Sequence, residues 1–395
     1  MPLFAAQLDL KKAFDRVFHS AVLSALRLQG ASLQCVAVMS ALLSQSRTSI
    51  SLGHVTSASI RMHRGLPQGA PDSPLLFVLI TEMVLRPLLL KWRDRRSGWI
   101  IHGFSLAAVC YADDIILLSS SKDDLQRMIS ELIDAFSLVG LDVGTDKCHW
   151  TSYPAKTREK LKFNNDKVKW EPLLTFVGTI IDFNGNDKAA LDNRLAQGTK
   201  VFHKWKAVLT SRKAPLVSRI KLLITTVFSA VLWLSETWHL TKNQRKRLNS
   251  WGARMAAQVV GVRPNGDDDV GTFWRRMFRI GHDVLEAHGG SLELRRRRRV
   301  HGFAGHLARQ TDALPGVALR TRCMAWWRFF QKAGGQKHPK KFNPWRWEEQ
   351  LVSHYGEASS VFIDDDAGWM KKAQARSTWK ANEDTFARSL GSGGV

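Results

Sequence analysis

Three carboxylates stand where apolar runs of the sequence end. Asp9 follows the apolar stretch 4–8, and the adjacent pair Asp113 and Asp114 lies between the apolar runs 107–110 and 115–119. Adjacent carboxylates in a turn repel each other unless a cation lies nearby. Carboxylate oxygens suit two Mg²⁺ ions, or Mn²⁺ in their place, and such a pair promotes in-line phosphoryl transfer. The pattern therefore predicts a divalent-cation site for phosphoryl transfer.

Each carboxylate taken alone has a more common explanation. A single Asp at the end of a strand is usually a turn former or a helix cap. Asp-rich turns are also frequent on protein surfaces. The metal-site interpretation depends on Asp9 and the Asp113-Asp114 pair occurring together, each at the end of an apolar run.

The surrounding patterns predict the elements that position these residues. Residues 4–8 read as a buried strand, and residues 107–119 as two strands joined by a turn at 111–114. Helices are expected from about residue 20 to Gly30, over 73–90, and over 122–139 with a stop at Gly140. A further hairpin is expected at 175–181.

Three segments in order carry a resemblance to a known family. They are Leu8-Asp9 with Ala13-Phe14-Asp15, then residues 65–74 (GLPQGAPDSP), then Tyr111-Ala112-Asp113-Asp114. Their order and spacing resemble reverse transcriptases of LINE-like, non-LTR retrotransposons. The resemblance implies an α+β fold with a right-hand palm, an antiparallel sheet with packed helices. It also implies DNA synthesis from dNTPs on an RNA template and a DNA primer, with Asp9, Asp113 and Asp114 binding the metal ions.

Other positions match the family motifs one at a time. Phe14 matches the aromatic steric gate against ribonucleotides, although core aromatics are more frequent in general. Gln68 and Gly69 match the segment beside the incoming nucleotide, and Tyr111 adjoins it; a plain Pro/Gly turn is the alternative at 66–69. Lys147 matches a lysine near the phosphates that acts as a proton donor, whereas most lysines are solvated.

The resemblance sets the expected organisation up to residue 262, and composition sets it beyond that residue. Residues 1–187 are expected to form the palm, 188–262 a helical thumb-like region with helices at 191–209 and 216–234, and 263–383 a basic, aromatic-rich helical region. A disordered tail is expected at 384–395. The fingers that precede the first motif in the family are largely absent, which predicts an N-terminally truncated piece of a longer polymerase.

Composition indicates a polyanionic partner. The 395 residues include 58 Lys+Arg and 35 Asp+Glu, a formal net charge of +23. No run of about 20 apolar residues free of charges is evident, so no membrane contact is expected. The four cysteines are far apart and predict reduced thiols inside a cell without a zinc site.

A run of five arginines, Arg295, Arg296, Arg297, Arg298 and Arg299, opens a basic and aromatic stretch that extends to Trp347. Cations for phosphates and rings for stacking predict a contact with single-stranded nucleic acid. An alternative for the arginines is a nuclear localisation signal, and a nuclear location is expected from this run and from the implied mechanism. Two functions stay open: an RNA-directed DNA polymerase, and a catalytically silent remnant that only binds nucleic acid.

Overall fold

The computed structural model of the chain describes residues 2–101, 104–155, 160–163, 166–266, 268–310, 351, 354–355 and 369–389. The chain divides into two compact units, Met1–Asn184 and Gly185–Val395. This division lies close to the boundary predicted after residue 187.

The first unit is an α+β domain built on a six-stranded sheet with the order β11-β12-β10-β1-β9-β8. Strands β10 and β12 are parallel and the other pairs are antiparallel, so the predicted antiparallel sheet holds except for this one pair. The strands of the unit are β1 (Leu3–Leu8), β2 (Arg47–Thr48), β3 (Ser51–Leu52), β4 (Val55–Thr56), β5 (Ile60–Arg61), β6 (Trp99–Ile101), β7 (Phe104–Leu106), β8 (Ala108–Tyr111), β9 (Asp114–Ser119), β10 (His149–Tyr153), β11 (Leu161–Phe163), β12 (Asp166–Trp170), β13 (Leu174–Phe176) and β14 (Thr179–Ile181).

The helices of this unit cover one face of the sheet. They are α1 (Ala13–Arg16), α2 (His19–Leu28), α3 (Leu33–Ser44), α4 (Ser73–Asp94) and α5 (Lys122–Ser137). The predicted helices at 20–30, 73–90 and 122–139 are confirmed as α2, α4 and α5. Helix α3 and the short strands β2–β5 are not anticipated by the sequence patterns.

Strand β1 is central and is buried on both faces. Its side chains alternate: Phe4, Ala6 and Leu8 join the core under the helices, whereas Leu3 and Ala5 join a second cluster with the β13–β14 hairpin. Because side chains two apart share a face, Asp9 continues the face that carries the hairpin.

By length and composition alone, α4 is apolar enough to cross a membrane, the one such helix among the described residues. Glu82 and Arg86 lie within its apolar stretch, as the sequence analysis expects of every stretch of this length. Core helices meet the same criterion, and Phe77 and Ile80 of α4 are fully buried in the core of the unit.

The second unit is helical over its described residues. Its elements are α6 (Lys188–Leu209), α7 (Leu216–Leu222), a π-helical segment (Leu223–Phe228), α8 (Ser229–Val231), a 3₁₀ turn (Ser235–Thr237), α9 (Lys242–Val260), α10 (Val270–Ala287), α11 (Leu292–Arg309), α12 (Trp369–Lys372), α13 (Arg376–Ala381) and α14 (Glu383–Ser389). The helix predicted at 216–234 is thus broken by a π-helical segment and ends at Val231. A capping box between Thr241 and Gln244 begins α9.

The predicted disordered tail at 384–395 is wrong for its first residues. Helix α14 extends to Ser389, and Phe386 is fully buried against Trp379 and Tyr355. The polar and Gly/Ser-rich composition near the end of the chain gives no indication that Phe386 is buried. The predicted aromatic contacts at Trp326, Trp327, Phe329, Phe330, Phe342, Trp345 and Trp347 lie outside the described residues.

Candidate active site

The sheet register brings Asp9 and Asp114 together. Leu8 pairs with Ile115 in the antiparallel β1–β9 ladder, so one further step along the ladder sets Asp9 opposite Asp114. Both side chains share the face of Leu3, Ala5, Ile116 and Leu118, the face that packs against the β13–β14 hairpin. Two carboxylates separated by more than 100 positions in the sequence thus become neighbours.

Asp113 lies in the tight turn of the β8–β9 hairpin. Tyr111 pairs with Asp114 across a loop of two residues, Ala112 and Asp113. Ala112 has a φ of 51°, whereas Asp113 is not among the residues with positive φ, and this combination is that of a type II′ turn. Ala is strained there, and such strain clusters at functional sites. Tyr111 is exposed at the end of β8.

The tip of the β13–β14 hairpin contacts Asp114 through its backbone. The Val177 N–H donates to Asp114 Oδ2 at 3.1 Å. Val177 and Gly178 form the two-residue loop with φ values of 48° and 70°, as in a type I′ turn. A β-branched residue at positive φ is a genuine outlier. The hairpin predicted at 175–181 is confirmed, but the Val177 contact is not predictable from motif spacing.

A second bond fixes this hairpin against β1. Gln7, on the hairpin face of β1, accepts the Thr175 N–H through Oε1 at 3.0 Å. The hairpin is therefore held at Gln7 and at Asp114, one residue on each of the two strands that carry the carboxylates. This places the two neighbouring carboxylates and the hairpin in one hydrogen-bonded assembly.

The electrostatics of the site are those of crowded acids. Partial burial raises the pKa of Asp114, and the neighbouring Asp113 and Asp9 carboxylates raise it further, against the opposing effect of the Val177 hydrogen bond. The nearest cation to Asp9 among the described ion pairs is Lys147, whose Nζ lies 3.9 Å from Asp9 Oδ2. The Lys147 side chain is 70% exposed, so this single pairing is weakened by solvent.

Backbone hydrogen bonds bring Lys147 to this position. The Gly144 N–H donates to the Asp9 carbonyl at 2.7 Å, and the Lys11 N–H donates to the Asp142 carbonyl at 2.8 Å. Arg16 also forms an ion pair with Asp142. The structure thus places Lys147 beside Asp9, whereas its role as a proton donor stays a prediction.

Phe14 lies on the short helix α1, five residues after Asp9. Its ring stacks on Phe77 of α4, with centroids 4.8 Å apart and an angle of 23° between the planes. Phe14 is partly buried against the core, so one side of the ring is supported by Phe77. A supported ring is what a steric gate needs, and it is equally an ordinary core contact.

The segment with Gln68 packs against the short helix α1, which contains Phe14. The Leu66 N–H donates to the Phe14 carbonyl at 2.7 Å. A Cβ on Gly65 would lie 2.8 Å from the Asp15 carbonyl oxygen, so glycine is required for this approach. Two of the family motifs therefore form one continuous surface.

Gln68 is oriented by Asp15, a contact that the sequence analysis does not anticipate. Gln68 Nε2 donates to Asp15 Oδ1 at 3.0 Å. Gly69 has a φ of 92° with no atom within 4 Å of an added Cβ. The positive φ explains why residue 69 is a glycine, and the space beside this residue is open.

The site fits a divalent cation by the chemistry of its donors, since carboxylate oxygens are the ligands that Mg²⁺ prefers. Burial is the main cause that raises the pKa of Asp114, and the neighbouring Asp113 and Asp9 carboxylates add to it. Among the described residues, however, no three His, Cys, Asp or Glu side chains lie close enough together to hold a metal ion. Binding therefore requires the three carboxylates to converge.

Arg296 and Arg297 of the arginine run lie in the interior of the second unit, which does not favour the contact with nucleic acid predicted for them. Both are buried and bind Glu293, Arg296 through two bonds of 2.7 and 2.8 Å. Burial raises the pKa of Glu293, but the coulombic and hydrogen-bond effects of Arg296, followed by Arg297, leave it below its usual value. A buried guanidinium paired in this way is unavailable to a phosphate.

The other three arginines of the run also bond within the unit. Arg295 donates to the His288 and Gly290 carbonyls, Arg298 to Asp384, and Arg299 to the Leu232 carbonyl. Arg299 is the most exposed of the five. For Arg295, Arg298 and Arg299, contact with nucleic acid stays a prediction.

Comparisons with known proteins show what the first unit is similar to. Residues 3–181 match the family model described as reverse transcriptase (RNA-dependent DNA polymerase). The Pol polyprotein of the type-1 retrotransposable element R2 of Nasonia vitripennis is 32% identical over 42% of this chain, and the type-2 R2DM polyprotein of Drosophila melanogaster is 29% identical over 40%. The chain spans only 16% and 14% of these two relatives.

Two further similarities extend into the second unit. A putative uncharacterized transposon-derived protein of Caenorhabditis elegans is 22% identical over 71% of this chain and 96% of its own length. The structure of apo telomerase from Candida Tropicalis aligns with a TM-score of 0.36 and 13% identity over 76% of this chain and 50% of that one, a likeness too low to support any statement about this chain. By the family model and the R2 relatives, residues 3–181 are similar to reverse transcriptases, and in particular to those of non-LTR retrotransposable elements.

Proposed function

We propose that the chain is an RNA-directed DNA polymerase that adds dNTPs to a primer 3′-hydroxyl by two-metal phosphoryl transfer. The observation that carries this proposal is the sheet register, which sets Asp9 opposite Asp114 on one face with Asp113 in the adjoining turn. The match of residues 3–181 to the reverse transcriptase family model supports it.

In this proposal Asp9, Asp113 and Asp114 hold two Mg²⁺ ions, or Mn²⁺ in their place. When bound, the ions supply charge neutralisation of the triphosphate and activation of the primer hydroxyl. The protein supplies position: the Val177 amide holds the Asp114 carboxylate, and Gln68, held by Asp15, borders the nucleotide together with Gly69 and Tyr111. Phe14, supported by Phe77, excludes a 2′-hydroxyl, and Lys147 donates a proton to the leaving group.

The proposed partners are an RNA template, a DNA primer or target, and dNTPs, within the nucleus. The excess of 23 positive charges supports a polyanionic partner. Helix α6 and the segment after it offer exposed cations for the backbone of a duplex, among them Lys200, Lys204, Lys206 and Lys213.

A silent remnant that only binds nucleic acid is the second candidate. One observation favours it: the described carboxylates do not form a cluster of three that could hold a cation as they stand. Both candidates require salt-dependent binding to nucleic acid, so binding alone does not distinguish them.

The deciding experiment is primer extension on poly(rA)/oligo(dT) with Mg²⁺ or Mn²⁺. The wild-type chain is compared with Asp113→Asn/Asp114→Asn and with Asp123→Asn/Asp134→Asn, which removes the same two charges from α5, outside the site. Extension that only the first variant abolishes supports the polymerase. No extension by the wild type, together with template binding that survives the Asp113→Asn/Asp114→Asn change, supports the remnant.

A further inference from the structure

A cavity of about 460 Å³ lies within the second unit, between α6, α9 and α10. Helices α6 and α9 each line it with residues at the i, i+3, i+4, i+7 spacing of one helix face. These residues are Asp192, Leu195, Ala196 and Thr199 of α6, and Arg247, Ser250, Trp251 and Arg254 of α9. Helix α10 adds Trp274 and Phe278, one turn apart. The cavity is thus formed by residues of one unit.

One cation of this cavity lacks a partner. Asp192 forms an ion pair with Arg247, which neutralises that pair of charges. Arg254 forms no side-chain hydrogen bond or ion pair with any described residue, and its Nε is buried without an acceptor. An unsatisfied buried donor on a charged group is costly. A ligand with anionic oxygen acceptors would remove this cost.

The aromatic side of the cavity offers a ring face. Trp274 is 39% exposed and stacks on Phe278, with centroids 5.8 Å apart and 28° between the planes. Phe278 therefore fixes the Trp274 ring while part of it stays in contact with solvent. The third aromatic ring of the cavity, Trp251, donates its indole N–H to Thr199 Oγ1 at 3.3 Å.

We propose that this cavity binds one unpaired nucleotide of a single-stranded nucleic acid, with a phosphate on Arg254 and the base stacked on Trp274. A free cation beside an exposed, supported indole is the pair of groups that recognises a nucleotide in an unpaired strand. A base within a duplex is already stacked on its neighbours and leaves no face for Trp274. The net charge of +23 favours a polyanion over a neutral ligand.

This site is separate from polymerase chemistry, because none of its residues belongs to the reverse transcriptase domain of residues 3–181. It also differs from the arginine run, whose central members Arg296 and Arg297 are buried against Glu293. Binding at Arg254 and Trp274 can therefore be measured whether or not the chain extends a primer.

The experiment is photocrosslinking of the full chain to a ten-nucleotide RNA that carries 5-iodouridine, followed by peptide mapping. The major crosslink is expected on Trp274. Trp274→Ala is expected to weaken binding of the RNA by about 5- to 150-fold, and Trp274→Phe to retain part of the affinity. Arg254→Gln is expected to weaken binding and to reduce its dependence on salt.

Two matched controls separate this site from general effects. Trp233→Ala removes an exposed tryptophan of the same unit outside the cavity, and Arg279→Gln removes the same charge from the exposed side of α10. Both are expected to bind RNA within about twofold of wild type. Thermal unfolding of every variant verifies that α9 and α10 still fold.

Either of two results overturns the proposal. One is crosslinking that maps away from Trp274 while folded Trp274→Ala and Arg254→Gln bind like their controls, as expected if another segment of the chain fills the cavity. The other is competition by a blunt DNA duplex as effective as that by the unlabelled single strand.

Discussion

The backbone amide of Val177 donates to the carboxylate of Asp114, although the two residues lie 63 positions apart in the sequence. The Val177 side chain takes no part in this bond, because the donor is the backbone N–H. The identity of residue 177 is therefore free to change as long as the turn and its N–H remain. A substitution at residue 177 can therefore relieve the backbone strain at the hairpin tip while the hydrogen bond to Asp114 is kept.

Val177→Asn is expected to raise the free energy of unfolding by about 1 kcal/mol, because Asn-Gly is the preferred pair for a type I′ turn whereas Val is strained at positive φ. Urea unfolding measures the change. Val177→Ala, which loses only the β-branch, should give a smaller gain. A loss of stability in the Asn variant would mean that packing of the Val177 side chain outweighs its backbone strain.

Gly65→Ala is expected to cost at least about 2 kcal/mol of stability, since its Cβ would meet the Asp15 carbonyl at 2.8 Å in addition to the unfavourable φ of 95°. The matched control is Gly30→Ala, where φ is 78° but no atom lies within 4 Å. Its cost should be about 1 kcal/mol. Equal losses in the two variants would contradict the close approach between residues 65 and 15.

Asp15→Asn is expected to raise the KM for dNTP by about 5- to 10-fold with a smaller change in kcat. A carboxylate only accepts hydrogen bonds, so it holds the Gln68 amide with its NH₂ toward Asp15. An Asn amide can donate as well, which lets the Gln68 amide reverse. Steady-state extension assays measure the effect, with Asp123→Asn as the charge control. An unchanged KM would exclude this positioning role.

Glu293→Ala is expected to destabilise the second unit by roughly 3–5 kcal/mol, because it leaves Arg296 and Arg297 buried without their carboxylate. Glu286→Ala serves as the comparison, since its ion pair with Arg388 is half exposed on both sides and worth at most about 1 kcal/mol. Denaturant unfolding measures both. Similar small losses would show that the buried arginines find other acceptors.

Stability is expected to fall as the pH decreases from 6.5 to about 4 through His301. Burial lowers the pKa of His301 to about 4, so in this interval the unfolded chain takes up a proton and the folded chain does not. Above pH 6.5 the imidazole is neutral in both states, and below about 4 it is charged in both. Thermal unfolding across this range should therefore show a steeper loss for wild type than for His301→Gln.

His301→Gln retains a polar group for the Tyr355 hydroxyl, which lies 2.8 Å from His301 Nε2. Other acids and His354 titrate in both proteins, so only the difference between the two curves reports on His301. Parallel curves would contradict a lowered pKa of His301 in the folded protein.

Local patterns suffice for the carboxylates, for the strands that adjoin them and for the helices α2, α4 and α5. Asp9 ends an apolar strand and Asp113-Asp114 sits between two apolar runs, so each can be located from a few residues of sequence. Helix α5 is similarly evident, because its apolar residues recur on one face.

What local patterns miss are contacts between distant segments. The bonds from Val177 to Asp114 and from Gln68 to Asp15 join segments 63 and 53 positions apart, and the first has a backbone donor that leaves no mark on residue type. The burial of Arg296 and Arg297, by contrast, involves a partner that is local in the sequence. Glu293 stands three and four positions before them on the same helix, and that spacing is a signal for local ion pairs that the run of arginines obscures.

The central position of β1 also governs how the first unit can form. Its two neighbours, β9 and β10, begin at residues 114 and 149, so β1 stays unpaired during synthesis until more than a hundred further residues have emerged. Loops of this length make folding slow, and an unpaired apolar strand is prone to associate with other chains. A one-residue slip in register would turn Asp9 to the helix-covered face. Chaperone protection during synthesis should therefore determine how much of the protein acquires the acidic site.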